Sequence, residues 1–237
     1  MRGFCLEVEG AFACFTRPEM KVERVSYDFI TPSAARAIFS SILWKPAIRW
    51  HVKKIAVLNP IRWISIRRNE VDAVASSRSE GIFIEDARAQ RAGLLLRDVK
   101  YRITAEFEFI PPEKRGKVAN PVPEWLVETY DDEEKQVQRT DETEAKYAAM
   151  FERRAKKGQT FTHPYLGCRE FSCAFKLVSQ EEVVECPGEL RGTRTFGWML
   201  YDMDYRDPAN ITPMFYHPEM NDGVVMVPPW NSEEVRQ

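Results

Sequence analysis

A chain of 237 residues, 44% of them hydrophobic, can bury one large core or a core with a smaller appendage. Its 34 basic and 36 acidic residues leave a net charge of −2, so a polyanion site would have to come from uneven placement of charge. Five cysteines, an odd number with no CxxC spacing, speak against a zinc site or a disulfide framework and for reduced thiols in a cytoplasm.

Residues 2–9 alternate, with Phe4, Leu6 and Val8 on one face and Cys5, Glu7 and Glu9 on the other, which predicts a strand. Glu7 and Glu9 stand where a signal peptide needs an apolar stretch, and no later run approaches the ~18 apolar residues of a membrane span. A cytoplasmic protein is expected. "TPSAARAIFSSILW" predicts a helix: Thr31 caps it, Pro32 suits its first position, and Ala35, Ile38, Phe39 and Ile42 form an apolar stripe. Lys45-Pro46 stops it. Residues 48–58 predict a strand closed by Asn59-Pro60.

Residues 62–97 are ambiguous. "RWISIRRNEV" suits a short strand, "SSRSEG" a loop, and "EDARAQRAGLLLRD" either a short helix or a loop. Residues 99–109 alternate without a break from Val99 to Phe109 and predict a half-buried strand. Residues 110–140, with four prolines and mixed charge, predict an exposed excursion. A helix follows. Asp141 with Glu144 resembles a capping box, and Gly158 ends the helix. Phe171, Cys173, Phe175 and Leu177 alternate as one more strand.

This order, strand-helix-strand-strand-helix-strand, is the ferredoxin-like or RRM-like plan of an α+β fold. Short strand-like pieces after it predict a small antiparallel β appendage. The expected division is therefore 1–190, with the excursion at 110–140, and 191–237.

Charge is uneven in three places. On the second helix Lys146, Met150, Arg153 and Lys157 share a face, flanked by Arg154 and Lys156. Such a row suits a polyanion, and equally a solvated helix end that complements the dipole. Arg67 and Arg68 form a second cluster. Trp44, Lys45, Arg49, Trp50, His51, Lys53 and Lys54 form a third. Rings among cations suit single-stranded nucleic acid, and equally a strand with core tryptophans and solvated lysines. His51, His163 and His217 lack metal-binding spacing. No phosphate-binding glycine loop and no nucleophile elbow occurs. No metal or cofactor is expected.

Three stretches, "RVSYDFITPSAARAIFSSILWKPAIRW", "IRRNEV" and "KYAAMFERRAKKGQTFTHPYLGCREF", resemble the subtype I-C CRISPR-associated proteins of the Cas-five family, and the resemblance extends over nearly the whole chain. It implies an RRM-like domain with an added β domain, and a role in antiviral defence. It implies metal-free cutting of CRISPR repeat RNA, then retention of the guide's 5′ handle among the backbone and large subunits of a Cascade complex. The alternative is a non-catalytic subunit that only holds the handle; DNA as a further partner, with metal-dependent cutting, stays open.

The family pattern has a Tyr before the "KP" and a Lys-His pair in the second helix. This chain has Leu43-Trp44 and Lys146-Tyr147 there. Only the lysine carries over, onto Lys146, as stabiliser of the scissile phosphate. Tyr147 or His163 is then the acid or base, although a free phenol with a pKa near ~10 is a poor base at pH 7. Trp44, Lys45, Arg49, Arg67, Arg68, Arg153, Arg154 and Lys157 are the expected RNA contacts.

Overall fold

The computed structural model describes residues 2–74, 76, 81–115, 120–123, 126, 142–183, 185–207 and 209–236. Most of the excursion expected at 110–140, and Asp141, lie outside the described residues. The fold is α+β, with mostly antiparallel sheets and few helices. Its elements are β1 (Arg2–Ala13), α1 (Pro32–Ile42), β2 (Ile48–Val57), β3 (Arg62–Val71), β4 (Arg88–Phe109), α2 (Glu144–Lys156), β5 (Ala174–Val178), β6 (Thr193–Thr195), β7 (Met199–Asp204), β8 (Thr212–Tyr216), β9 (Glu219–Asn221), β10 (Val224–Met226) and β11 (Val235–Arg236). The main sheet runs β5-β1-β4-β2-β10-β9-β6, with β3 paired to β4, and a second sheet runs β11-β8-β7.

Strand β4 organises the molecule. Its second half lies between β1 and β2, with Leu6 opposite Ile103 and Trp50 opposite Phe107. Its first half, 88–97, pairs with β3 as a ten-residue ladder from Arg62↔Arg97 to Val71↔Arg88. The ambiguous "ARAQRAGLLLR" is therefore neither helix nor loop. Its Ala, Arg and Leu favour a helix locally, but the ladder with β3 overrides that weak preference. The ladder ends beside Asp98, which takes a left-handed φ of 53°. Its carbonyl accepts from the Asn59 side chain at 2.7 Å.

Helix α1 forms as its sequence predicts. The Thr31 hydroxyl accepts from the Ala34 N–H at 3.2 Å, and Pro32 opens the helix. Its end comes earlier than the Lys45-Pro46 stop, because Leu43 is already extended. Helix α2 is capped by Thr143, whose hydroxyl accepts from the Lys146 N–H at 3.2 Å. That replaces the expected Asp141–Glu144 box. Gly158, at φ 64°, ends the helix in the left-handed region that glycine enters without steric cost.

Both helices pack on one aromatic cluster. The Phe151 ring lies 4.6 Å from Trp50, 4.7 Å from Phe4 and 5.6 Å from Phe39. The same hydrophobic cluster continues into Tyr201, Met214 and Tyr216 of the second sheet and Val225 of β10. After residue 190, β6, β9 and β10 extend the main sheet through β2, while β7, β8 and β11 form the second sheet. All five cysteines are free thiols. Among the described residues no helix is long and apolar enough to cross a membrane.

Candidate nucleic-acid interface and active site

The sheet register divides the expected site residues between two ends of the molecule. Ile48, where β2 begins, pairs with Phe109, where β4 ends. The Phe109 ring lies 6.2 Å from Tyr147. Trp44, Lys45 and Arg49 flank Ile48, so they share this end of the sheet with Lys146 and Tyr147. His163 lines a hollow with Gly10, Asn59 and Val99. Val99 is ten residues from Phe109 along β4, roughly 33 Å in an extended strand. His163 thus lies at the Val99 end of this stretch of β4, and Tyr147 at the Phe109 end. Arg68 pairs with Arg91, further still from Phe109. Its guanidinium is committed to Glu170, which also holds Arg24 at 3.3 Å. Arg67 is exposed on the same hairpin.

At the near end each side chain has a definite setting. Lys146 is half-buried in the first turn of α2. Tyr147 is 5% exposed, and its hydroxyl donates to Glu142 at 2.6 Å. Glu142 also accepts from Arg115 at 2.7 Å. The phenol's proton is thus committed to a carboxylate inside the protein. Trp44 is 4% exposed, a wall rather than an open stacking platform. Lys45 is half-buried, and its carbonyl accepts from the Ile48 N–H at 3.1 Å and the Asn120 side chain at 3.3 Å.

The C-terminal turn of α2 splits likewise. Arg153 and Lys157 are exposed. Arg154 is spent inside: it donates to the Ile42 carbonyl at 2.6 Å, and its guanidinium lies 4.1 Å from the Phe161 ring centre. It fastens α2 to the end of α1, and the surface cations of this turn are its neighbours.

A cleft opens beside the first half of β2. Strand β10 pairs with Lys54–Ala56, and among the described residues no strand pairs the same edge at Ile48–Val52. The cleft is narrow, with room of about 50 Å³. One wall carries Trp44, Arg49 and His51, and the other Arg36, Tyr205 and Trp230. Arg36 donates twice to Asp202, at 2.6 and 2.8 Å, which fixes the far wall. On the near wall Glu108 accepts from Arg49 at 2.7 Å and lies 3.1 Å from His51 Nε2. Burial pushes the His51 imidazole below its ordinary pKa, against the pull of Glu108. Burial would raise the Glu108 carboxyl, but the bonds from Arg49 and His51 outweigh it and hold the group low.

Alternation sets which face each group uses. Trp50, Phe107 and Phe109 point to the helices, and Arg49, His51, Glu106 and Glu108 to the opposite face. Lys146 thus approaches this end of the sheet from the helix side, and His51 stands at the cleft edge on the other. His51 appears in the sequence only as one member of a basic run. Its partner Glu108 becomes visible once β2 and β4 are known to be neighbours, and no sequence signal links Arg36 with Asp202.

A family model described as CRISPR-associated protein (Cas_Cas5) matches residues 3–228. The chain is 42% identical over 246 residues to the CRISPR pre-crRNA endoribonuclease Cas5d of Mannheimia succiniciproducens, covering 98% of this chain and 97% of that protein. It is 34% identical over 247 residues to the CRISPR pre-crRNA endoribonuclease Cas5d of Thermus thermophilus, covering 97% and 93%. Two solved structures share the fold over the full chain and 97% of their own. One is a CRISPR-associated protein, with a TM-score of 0.67 and 23% identity. The other is SMU1763c from Streptococcus mutans, described as functionally uncharacterized, with a TM-score of 0.65 and 24% identity. The family match takes in both helices, the main sheet, β7 and β8 of the second sheet and the cleft residues named above except Trp230, and the two curated relatives cover nearly the full length: the chain belongs to the Cas5d family of CRISPR-associated proteins.

Proposed function

We propose that this protein is a metal-independent endoribonuclease that cuts CRISPR repeat RNA and keeps the 5′ handle of the resulting guide in a Cascade complex. The observation that carries the reading is 42% identity, over 98% of the chain, to a protein named as a pre-crRNA endoribonuclease. The strand order β5-β1-β4-β2, with α1 after β1 and α2 between β4 and β5, supports the ferredoxin-like reading of residues 1–190. Residues 191–237 are the added β region.

In the proposed chemistry the ribose 2′-oxygen attacks the adjacent phosphorus and the bond to the 5′-oxygen breaks. The products are a 2′,3′-cyclic phosphate and a 5′-hydroxyl. Lys146 is the candidate cation for the charge that builds on the phosphorane. Its backbone N–H is tied to Thr143, which fixes the turn that carries it. Tyr147 is assigned to positioning: through Glu142 and Arg115 it anchors the start of α2. His163, at the far end of the sheet, takes no part in the proposed step. Arg153 and Lys157 are the candidate phosphate contacts along the helix end.

A second reading, a subunit that holds the handle without cutting, is favoured by one observation. The positions of the family's tyrosine and histidine hold Leu43-Trp44 and the buried Tyr147. One experiment separates the two: incubation of a labelled repeat RNA in excess EDTA with wild type and Lys146→Ala. The ribonuclease reading expects cutting by wild type, a cyclic phosphate end, and a loss of at least ~100-fold in Lys146→Ala. Tight binding without cutting by either protein would establish the holding subunit.

A further inference from the structure

We propose that Cys14 and Cys168 form a hydroperoxide-reactive dithiol site: Cys168 is the attacking sulfur, Cys14 resolves it, and a reversible disulfide joins the end of β1 to the loop after α2. The site is independent of the ribonuclease reading. Ala13, the last residue of β1, pairs with Leu96, so the thiols belong to the end of the sheet away from Phe109 and Tyr147.

Folding brings the two cysteines together across 154 positions of sequence. The Cys14 N–H donates to the Leu166 carbonyl at 3.0 Å. Gly167, at φ 84°, lets the next turn of chain cross Cys14 closely, since a Cβ there would lie 2.0 Å from the Cys14 carbonyl oxygen. Cys168 Sγ then lies 3.6 Å from that same oxygen. One hydroxyl, Thr16 Oγ1, is 3.4 Å from Cys14 Sγ and 3.9 Å from Cys168 Sγ, and the two thiols hydrogen-bond each other. Two backbones held this close need little movement to form a disulfide.

The pair is unequal, and the inequality assigns the roles. The hydrogen bond from Cys14 holds the Cys168 thiol below its ordinary pKa against burial, and the Thr16 hydroxyl and the Arg24 guanidinium, 4.0 Å away, act in the same direction. That same hydrogen bond, with burial, pushes the Cys14 thiol up. The charged groups around the sulfurs are Arg24 and Glu170, with Glu70 on the far side of Arg24 and Arg68 on the far side of Glu170. A thiolate is the nucleophile toward peroxide. Cys168 is half-buried and within reach of a small oxidant, while Cys14 is fully buried behind it. A low-pKa, reachable thiol beside a resolving one is the arrangement of a redox-sensing pair.

The other three cysteines differ. Cys5 and Cys173 are buried, and burial pushes both thiols up. Cys186 is half-buried and donates to the Pro187 carbonyl at 3.4 Å. All five rest as free thiols, which suits a disulfide that forms transiently.

The steps balance with a hydroperoxide as the oxidant. The Cys168 thiolate attacks one peroxide oxygen; the S–O bond forms, the O–O bond breaks, and hydroxide leaves and takes a proton from solvent. Cys168 is then a sulfenic acid, oxidised by two electrons, and the peroxide is reduced. The Cys14 sulfur attacks the Cys168 sulfur; the S–S bond forms, the S–O bond breaks, and the departing oxygen takes the Cys14 proton and leaves as water.

The test treats the full chain at pH 7 with hydrogen peroxide in slight excess, blocks the remaining thiols with N-ethylmaleimide, and maps them by mass spectrometry, with fragment ions separating Cys5 from Cys14. The expected result is a Cys14–Cys168 link within one chain that dithiothreitol reverses, formed about tenfold or more faster than Cys186 is oxidised. Cys14→Ser should give no link and leave a Cys168 sulfenic acid that dimedone traps. Cys168→Ser should slow peroxide consumption about tenfold or more. The wild-type link decides the matter even where a variant does not fold. Oxidation of Cys186 as fast as Cys168, a Cys168 that goes to the sulfinic acid without joining Cys14, or disulfides only between two chains would each overturn the proposal. RNA cutting is no part of the readout, so failure of the ribonuclease reading would leave this result unchanged.

Discussion

Between Lys54 and Ala56, strand β2 is paired on both sides, by β4 and by β10; between Ile48 and Val52, among the described residues, β4 alone pairs it. The sealed half carries Ile55 and Ala56, both buried. The other half carries Arg49 and His51 on one face, and at its edge the Ile48 carbonyl accepts from the Asn120 side chain. A strand consumed on both sides can only hold the fold together. The same strand, five residues earlier, forms a cleft wall and begins opposite Phe109, the residue on which Tyr147 packs.

Changes in the sealed half should act on folding. Val225 faces Ile55, and both are fully buried. Val225→Asp should cost at least about 3 kcal/mol, because a charge enters the core without a partner. His51→Gln should change stability by less than about 1 kcal/mol, so urea melts of the two variants separate the halves directly. Equal losses would erase the distinction.

The cleft's far wall is next. Asp202 is only 7% exposed on its side chain, and Arg36 neutralises it. Arg36→Ala should cost about 3 kcal/mol through the stranded carboxylate. Adding Asp202→Ala should recover part of that loss, a double-mutant cycle that measures how much of the wall is held by charge.

A smaller effect is expected on the helix surface. Arg153→Glu with Lys157→Glu should weaken RNA binding about tenfold or more and flatten its salt dependence by about 1.4 in slope, at ~0.7 per lost phosphate contact. Stability should stay within about 0.5 kcal/mol. Arg154→Ala should behave in the opposite way, since its guanidinium serves the α1–α2 contact.

The smallest effect separates structural ion pairs from the site. Glu7 is held below the ordinary carboxylate pKa by hydrogen bonds from Arg102 and from Lys100, each at 2.9 Å. A depressed folded pKa stabilises above the unfolded value of about 4.3 and is lost as pH falls below it. Thermal midpoints of wild type and Glu7→Gln should therefore differ by a few degrees at pH 6 and converge by pH 3. RNA cutting at pH 7 should be the same in both.

The elements that alternate cleanly were legible in the sequence. Strands β1 and β2 and the second half of β4 follow their period, and α1 carries its Thr31 cap and Pro32 start in plain view. The first half of β4 was not legible, because its Ala, Arg and Leu carry helix preference and only the ladder with β3 makes it a strand. Asp141 and Glu144 match the spacing of a capping box, while Thr143 holds the α2 cap by geometry. At the proposed site, Lys146 is singled out in the sequence by its motif. His163 is near Lys146 along the chain, yet it lines a hollow with Val99, while Tyr147 packs on Phe109 at the other end of β4. Glu108, 57 residues beyond His51, and Asp202, 166 beyond Arg36, reach the cleft only through folding.

The most direct measurement is photocrosslinking of a non-cleavable repeat RNA that carries a 4-thiouridine with a 2′-deoxyribose at the mapped cut position. The account predicts crosslinked peptides from residues 44–53 and from α2. Crosslinks confined to the β3 hairpin around Arg67 and Arg68, or to the hollow beside His163, would place the scissile phosphate at the other end of the sheet and contradict it.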